Sequence, residues 1–351
     1  MRRLCSTMRS LFTPRECIER SGYTPAPMAK PRVVMTRPVA KEAIDLLRTR
    51  CEVRVLEGGE AKPLPTVAEL VGAMREAEIA YTLPAHPFTK EVIDAATKLR
   101  LIVTMGTGYD NIDVVAARSR SIPVTYAPGI LDETTADGTF GLLLATARRI
   151  PEAERYLRAG KWRGWGPGQF VGHDVHGKTL GIVGIGRIGR AVARRARGFD
   201  MRILYHDIRR NEDVERELGA RFVPLDELLG EADFVSLHVT LTPETRHLID
   251  ERALAKMKRG AILINASRGP VVDEAALARA LRDGVIAGAG LDVFEREPAV
   301  DRDLLRRDNA VLLPHIASAS EETRRRMALR AVENVFAFLD GKPLLDPVPG
   351  E

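Results

Sequence analysis

From residue 32 onward, short apolar runs alternate with stretches in which apolar residues recur every three to four positions. Runs of the first kind read as strands and stretches of the second as helices. In the first third of the chain, strands are predicted over 33–35, 53–55, 79–81, 101–103 and 122–124. Helices are predicted between them, over 39–47, 67–74, 90–96 and 112–118. A long helix over 133–159, interrupted near Pro151, comes next. A Gly- and Trp-rich connector over 160–177 separates it from a second alternating series. The strands of that series are predicted over 179–183, 202–205, 232–237, 261–264, 288–291 and 310–312, and a long amphipathic helix over 321–339 closes the chain.

Strands spaced by helical stretches of about 10–15 residues imply parallel βαβ units. The expected fold class is therefore α/β, with two Rossmann-like or flavodoxin-like domains, parallel sheets and a cleft between them. The last helix has no strand after it, so it is expected to return to the first unit. That makes residues 31–127 plus 318–345 one discontinuous domain and residues 128–317 the other.

Composition changes this picture little. Of 351 residues, 45% are hydrophobic and 29% charged, ordinary values for a globular protein. Mean hydropathy is −0.13, and no apolar run approaches the roughly 18 residues of a membrane span. The net charge of +5 is deceptive, because residues 1–30 hold six basic and two acidic residues. The folded body is nearly neutral, so neither nucleic acid nor a membrane surface is an expected partner. The tail lacks the apolar core of a secretory signal, and its prolines and acids make a poor transit helix. It is expected to be a disordered extension, with Met28 as the natural start. Three cysteines, two of them in the tail, give no zinc spacing. No metal site is expected, and a reducing, cytoplasmic setting is.

The strand at 179–183 runs into Gly184-Ile185-Gly186-Arg187-Ile188-Gly189. Gly184 permits a tight turn, Gly186 leaves room for a pyrophosphate, and Gly189 lets the next helix pack close. The helix start then offers free N–H groups to phosphate. Asp207 ends the following strand, eighteen residues after Gly189, where a carboxylate accepts the ribose hydroxyls. That carboxylate favours NAD. Arg209 and Arg210 just beyond it keep NADP open, since guanidinium groups grip a 2′-phosphate.

Three further segments each follow a strand: Asn265-Ala266-Ser267-Arg268-Gly269, Leu291-Asp292-Val293-Phe294-Glu295-Arg296-Glu297-Pro298 and Pro314-His315-Ile316-Ala317. Strand ends in an open parallel sheet face the ligand crevice. An Arg there offers a planar fork to a carboxylate, and Arg, Glu and His each stand on a loop after a strand in the unit that holds the glycine motif.

With these segments the chain resembles the D-isomer-specific 2-hydroxyacid dehydrogenases over nearly all of residues 32–345. The resemblance implies Arg268, Glu297 and His315 as the catalytic trio; Glu297, immediately before Pro298, is the equivalent acid and Glu295 is not. Arg268 is expected to bind the substrate carboxylate and polarise the ketone. His315 is expected to donate a proton to the ketone oxygen and to act as base in the reverse reaction. Glu297, hydrogen-bonded to that ring, favours the imidazolium and fixes its orientation.

The resemblance also places the substrate carboxylate on Gly106, Thr107 and Gly108. Taken alone, two glycines flanking Thr107 form either an anion nest or an ordinary turn. It further implies cofactor contacts from Thr107, Arg187, Ile188, Val239, Ala266 and Asp292, the last meeting the nicotinamide carboxamide. Thr240 stands where many members have Pro.

Within the family the chain is most similar to the glyoxylate/hydroxypyruvate reductases, on Asp132-Glu133-Thr134-Thr135-Ala136-Asp137 and Gly160-Lys161-Trp162-Arg163-Gly164-Trp165. Members are usually homodimers, and Trp162 or Trp165 reaches either a partner subunit or its own domain. The alternatives are 2-ketogluconate reductase and phosphoglycerate dehydrogenase. The latter is weakened by the lack of an extra C-terminal regulatory domain. A non-enzymatic alternative is an NAD(H)-sensing corepressor-like protein, against which the complete trio argues.

Overall fold

The computed structural model describes residues 29–56 and 62–350. The expectations for residues 1–28 lie outside the described residues.

In chain order, the elements of the first series are β1 (Arg32–Met35), α1 (Lys41–Arg50), β2 (Glu52–Val55), α2 (Val67–Met74), β3 (Ile79–Thr82), α3 (Lys90–Ala95), β4 (Leu101–Thr104), α4 (Val114–Ser119) and β5 (Val124–Thr125). Two helices follow, α5 (Asp132–Ala147) and α6 (Ile150–Arg158). The second series runs β6 (Thr179–Val183), α7 (Arg187–Arg197), β7 (Arg202–His206), α8 (Glu212–Leu218), β8 (Arg221–Phe222), α9 (Leu225–Glu231), β9 (Phe234–Leu237), α10 (Glu251–Lys256), β10 (Ile262–Asn265), α11 (Glu274–Asp283), β11 (Gly288–Leu291) and β12 (Ala310–Leu312). The chain closes with α12 (Glu321–Leu339).

The first series forms a five-stranded sheet in the order β2-β1-β3-β4-β5, and the second a seven-stranded sheet in the order β12-β11-β10-β9-β6-β7-β8. Every pair in both sheets is parallel. Helices cover both faces of such sheets, which is why β3, β4, β6, β9 and β10 are buried along their whole length.

Helix α12 packs on α1 and β4. Its Met327, Ala328, Ala331, Val332 and Val335 share one apolar cluster with Val33, Met35 and Leu101 of the first sheet. Helix α5 faces the other way. Phe140, Leu142 and Leu143 pack with Leu180, Ile182 and Ile264 of the second sheet.

The predicted long helix over 133–159 is two helices. Arg149 adopts a left-handed backbone at φ 53°, which breaks the α-helical ladder two residues ahead of Pro151. The ring of Pro151 is then accommodated in the first turn of α6. A seventh strand, β8, extends the second sheet beyond the six predicted. It is two exposed residues, too short to leave an alternation in the sequence. The predicted strand over 122–124 is shifted to β5, and the predicted helix over 112–118 begins only at Val114. There the Asp113 side chain accepts the Ala116 amide and caps the start.

Candidate active site

In the larger sheet the strand order reverses at β6, so a crevice opens between the carboxyl ends of β6 and β9. The loops after β9, β10, β11 and β12 stand along that edge, facing the loop after β4. A cavity of about 470 Å³ lies elsewhere, at the opposite end of the sheet beside Ile262, Gly288 and Ala310. The cavity at the crevice measures about 580 Å³. Gly106, Thr107, Gly108, Arg187, Ile188, Val239, Ala266, Arg268, Asp292 and His315 all line it. These are ten of the positions expected from the sequence. Glu297 lines an adjoining cavity of about 860 Å³, whose wall also includes His315, Pro84 and Arg324. Gly184, Gly186, Gly189 and Asp207 lie outside both linings, around the turn after β6.

That turn has the shape a dinucleotide needs. Gly184 has φ 94°, a backbone region L side chains avoid. A Cβ on Gly189 would come within 2.1 Å of the Gly184 carbonyl oxygen, whereas one on Gly186 would meet nothing within 4 Å. The outer face of Gly186 is therefore open, beside the first turn of α7, where unpaired amides attract phosphate. Asp207 accepts the Ile185 amide at 2.7 Å and the Ile208 amide at 2.7 Å. It is thereby locked to the glycine turn. Its neighbour Arg210 is engaged by Glu215, with bonds at 2.7, 2.9 and 3.1 Å. Glu215 also accepts the Tyr205 hydroxyl at 2.8 Å. The hydrogen bonds from Arg210 and Tyr205 hold its carboxyl down at about 2. These residues fit a bound dinucleotide.

His315 sits just after β12 with φ 56°. Its Nδ1 is 2.9 Å from Glu297 Oε2, and Glu297 Oε1 accepts the Phe294 amide at 3.0 Å. Burial pushes the Glu297 carboxyl up. The bond from His315, the Phe294 amide and the nearby Arg268 outweigh it, and the carboxyl lies below its ordinary value. With Nδ1 turned to a carboxylate, Nε2 is the atom left to exchange a proton. Glu295 is drawn off to His247 Nε2 at 2.8 Å, away from this pair.

Arg268 extends from a turn that Asn265 holds. Asn265 Oδ1 accepts the Ser267 amide at 3.0 Å, and its Nδ2 donates to the Arg268 carbonyl at 3.0 Å. Arg187 forms an ion pair with Asp132 at 3.2 Å. Burial raises the Asp132 carboxyl against the pull of that guanidinium.

Residues 140–317 match the family described as D-isomer specific 2-hydroxyacid dehydrogenase, NAD binding domain. A glyoxylate reductase of Korarchaeum cryptofilum is 53% identical over 315 residues, covering 89% of this chain and 94% of its own. The chain belongs to the D-isomer-specific 2-hydroxyacid dehydrogenase family. Among solved structures of similar proteins, one from Thermus thermophilus has a TM-score of 0.84 at 46% identity, covering 91% of this chain and 100% of its own. An NADPH-dependent glyoxylate/hydroxypyruvate reductase from Sinorhizobium meliloti, in complex with NADP and malonate, has a TM-score of 0.81 at 35% identity and covers 91% and 97%. Like other members of this dehydrogenase family, the chain is an NAD(P)-dependent oxidoreductase.

Sequence reading left Asp132, Asn265 and Arg324 of this site without roles. Asn265 carried a usable signal, since it opens the turn that delivers Arg268. Arg324 carried none, because α12 returns to the site from the far end of the chain.

Proposed function

We propose that this dehydrogenase reduces a small 2-oxo acid, glyoxylate or hydroxypyruvate, to the 2-hydroxy acid, of D configuration where the product is chiral. One observation carries the reading: Arg268, His315 and the Gly106–Gly108 backbone border one cleft near a dinucleotide turn, with Glu297 bonded to the His315 ring. Arg268 binds the substrate carboxylate and polarises the carbonyl. His315 Nε2 delivers a proton to the carbonyl oxygen, and in reverse accepts it from the hydroxyl. Glu297 fixes the ring. The nicotinamide, when bound, supplies or takes up the hydride. Proton transfer from a positioned group contributes about 10²–10⁴-fold.

The residues assigned to the cofactor are Gly184, Gly186, Arg187, Ile188, Gly189, Asp207, Val239, Ala266, Asp292 and Thr107. NAD is the preferred form, because Asp207 meets the ribose and Arg210 is already held by Glu215. The substrate domain comprises residues 31–127 plus 318–345, and residues 128–317 bind the cofactor. The similarity to glyoxylate reductases supports the small substrates. The adjoining cavity has walls of Pro38, Val39, Leu83, Met105 and Phe294. Arg37, Lys62, His86 and Arg324 also line it, so its walls do not separate the small acids from 2-ketogluconate and the kinetic panel below decides between them.

The active form is a homodimer in the cytoplasm. Ile150, Leu157, Trp162, Trp165 and Val171 expose an apolar face on α6 and the connector, with Trp165 84% accessible. Exposed apolar patches of this kind mark association surfaces. Free, buried Cys51 suits a reducing compartment. Among the described residues no helix is long and apolar enough to cross a membrane.

The test is oxidation of NADH and NADPH with glyoxylate, hydroxypyruvate and 2-ketogluconate side by side. Turnover with the first two, faster with NADH, is expected. Tight cofactor binding without turnover of any acid would favour the sensing role instead.

A further inference from the structure

Arg268 does not stand alone in the cleft. Its Nε donates to Asp110 Oδ1 at 2.9 Å, and its Nη1 to the Ser267 carbonyl at 2.9 Å. Asp110 belongs to the loop after β4, in the smaller sheet, and Arg268 to the turn after β10, in the larger. The pair therefore spans the cleft, joining residues 158 positions apart. Arg268 lies flat on the same loop: a Cβ on Gly108 would fall 1.5 Å from its Nη2. A side chain at 108 would displace the guanidinium from this path. Nη2 is thus set down beside the backbone that is assigned to the substrate carboxylate.

We infer that Asp110 is the positioning residue for Arg268, fixing the guanidinium from the opposite wall of the cleft so that Nη2 faces the substrate carboxylate. The inference rests on the role proposed for Arg268. A long arginine side chain samples many rotamers in a cleft. A carboxylate on the opposite wall selects one of them and leaves the remaining N–H groups for the substrate. Asp110 touches neither the acid nor the dinucleotide turn in this scheme. Its effect passes entirely through Arg268.

That dependence has a specific readout, a double-mutant cycle on kcat/KM for glyoxylate with saturating NADH. Residues that act as one unit are strongly non-additive. Asp110→Ala is expected to lower kcat/KM roughly tenfold, mainly through KM, with NADH affinity within about twofold of the parent. In the Arg268→Ala background the same substitution is expected to change kcat/KM by less than about twofold. Asp110→Asn, which keeps an acceptor oxygen and nearly the same shape, recovers part of the loss. It also serves if the alanine variant folds poorly. Equal losses from Asp110→Ala with and without Arg268 overturn the inference, as does no loss at all in the presence of Arg268. If Arg268→Ala itself leaves turnover intact, the carboxylate-binding role of Arg268 falls, and the inference with it. That outcome is distinct from a crippled Arg268→Ala beside an unaffected Asp110→Ala.

Discussion

The carboxylate of Asp292 holds the backbone on which His315 rides. Its carbonyl oxygen accepts the His315 amide at 2.8 Å. Its two carboxylate oxygens accept the next two amides, Ile316 at 2.7 Å and Ala317 at 2.8 Å. Asp292 is 1% exposed, and burial raises its pKa against the pull of those amides. Three successive N–H groups thus end on one residue, and His315 is held in its left-handed conformation.

Asp292→Asn replaces one acceptor by a donor and leaves an amide of this loop unsatisfied. A buried donor without a partner costs about 1–3 kcal/mol. The expected result is a lower melting temperature and a kcat reduced by about tenfold or more as Nε2 moves off line. Thermal melts and steady-state kinetics check both, and an unchanged kcat would show that His315 keeps its place without this clamp.

Glu297→Gln keeps the shape of the His315 partner and removes its charge. In the proposed mechanism kcat for reduction falls by about 10²-fold, within the range of general acid–base effects, while NADH affinity is retained. Cofactor fluorescence titration beside turnover separates the two. Weakened NADH binding with normal turnover would contradict the assignment.

Asp207→Ala removes the acceptor at the end of β7 and frees the Ile185 and Ile208 amides. The preference for NADH over NADPH should narrow by at least about tenfold, the value of one charge-assisted bond of about 1.5 kcal/mol or more. Ratios of kcat/KM for the two cofactors measure it. A preference for NADPH in the parent protein would already refute the reading of Asp207.

Stability should fall between pH 6.5 and 4. His86 is fully buried, with Nδ1 2.6 Å from Thr36 Oγ1. Burial, aided by Arg37, lowers its pKa to about 4. Burial does the same to His238, also to about 4. The folded protein keeps both rings neutral while the unfolded chain takes up protons near pH 6.5. Their contribution is complete above that pH and is lost as the pH drops toward 4, by on the order of 2–3 kcal/mol for His86. His86→Asn, which retains a partner for Thr36, should flatten the dependence of the melting temperature on pH over this window. A slope equal to that of the parent would remove His86 as its source.

Much of this was legible because parallel strands buried on both faces announce themselves as continuous apolar runs. The strands β6, β11 and β12 fall at their predicted bounds, and Arg268, Glu297 and His315 each stand on a loop after a strand, although the family resemblance is what singles them out. What stayed hidden depends on contacts between distant segments. Nothing local to Gly108-Tyr109-Asp110 says that an arginine 158 positions away lies across it. The break near Pro151 was legible from the proline, but the left-handed Arg149 that makes it leaves no mark in composition. β8 was missed because two residues cannot establish a period.

β12 is the outermost strand of its sheet, three residues long, bonded on one side only and partly exposed throughout. His315, the proposed proton donor, is thus moored beside a lightly fastened edge of an otherwise deeply anchored scaffold. On warming, that margin should fray before the buried central strands, and the enzyme should fall silent several degrees before the bulk of the molecule melts.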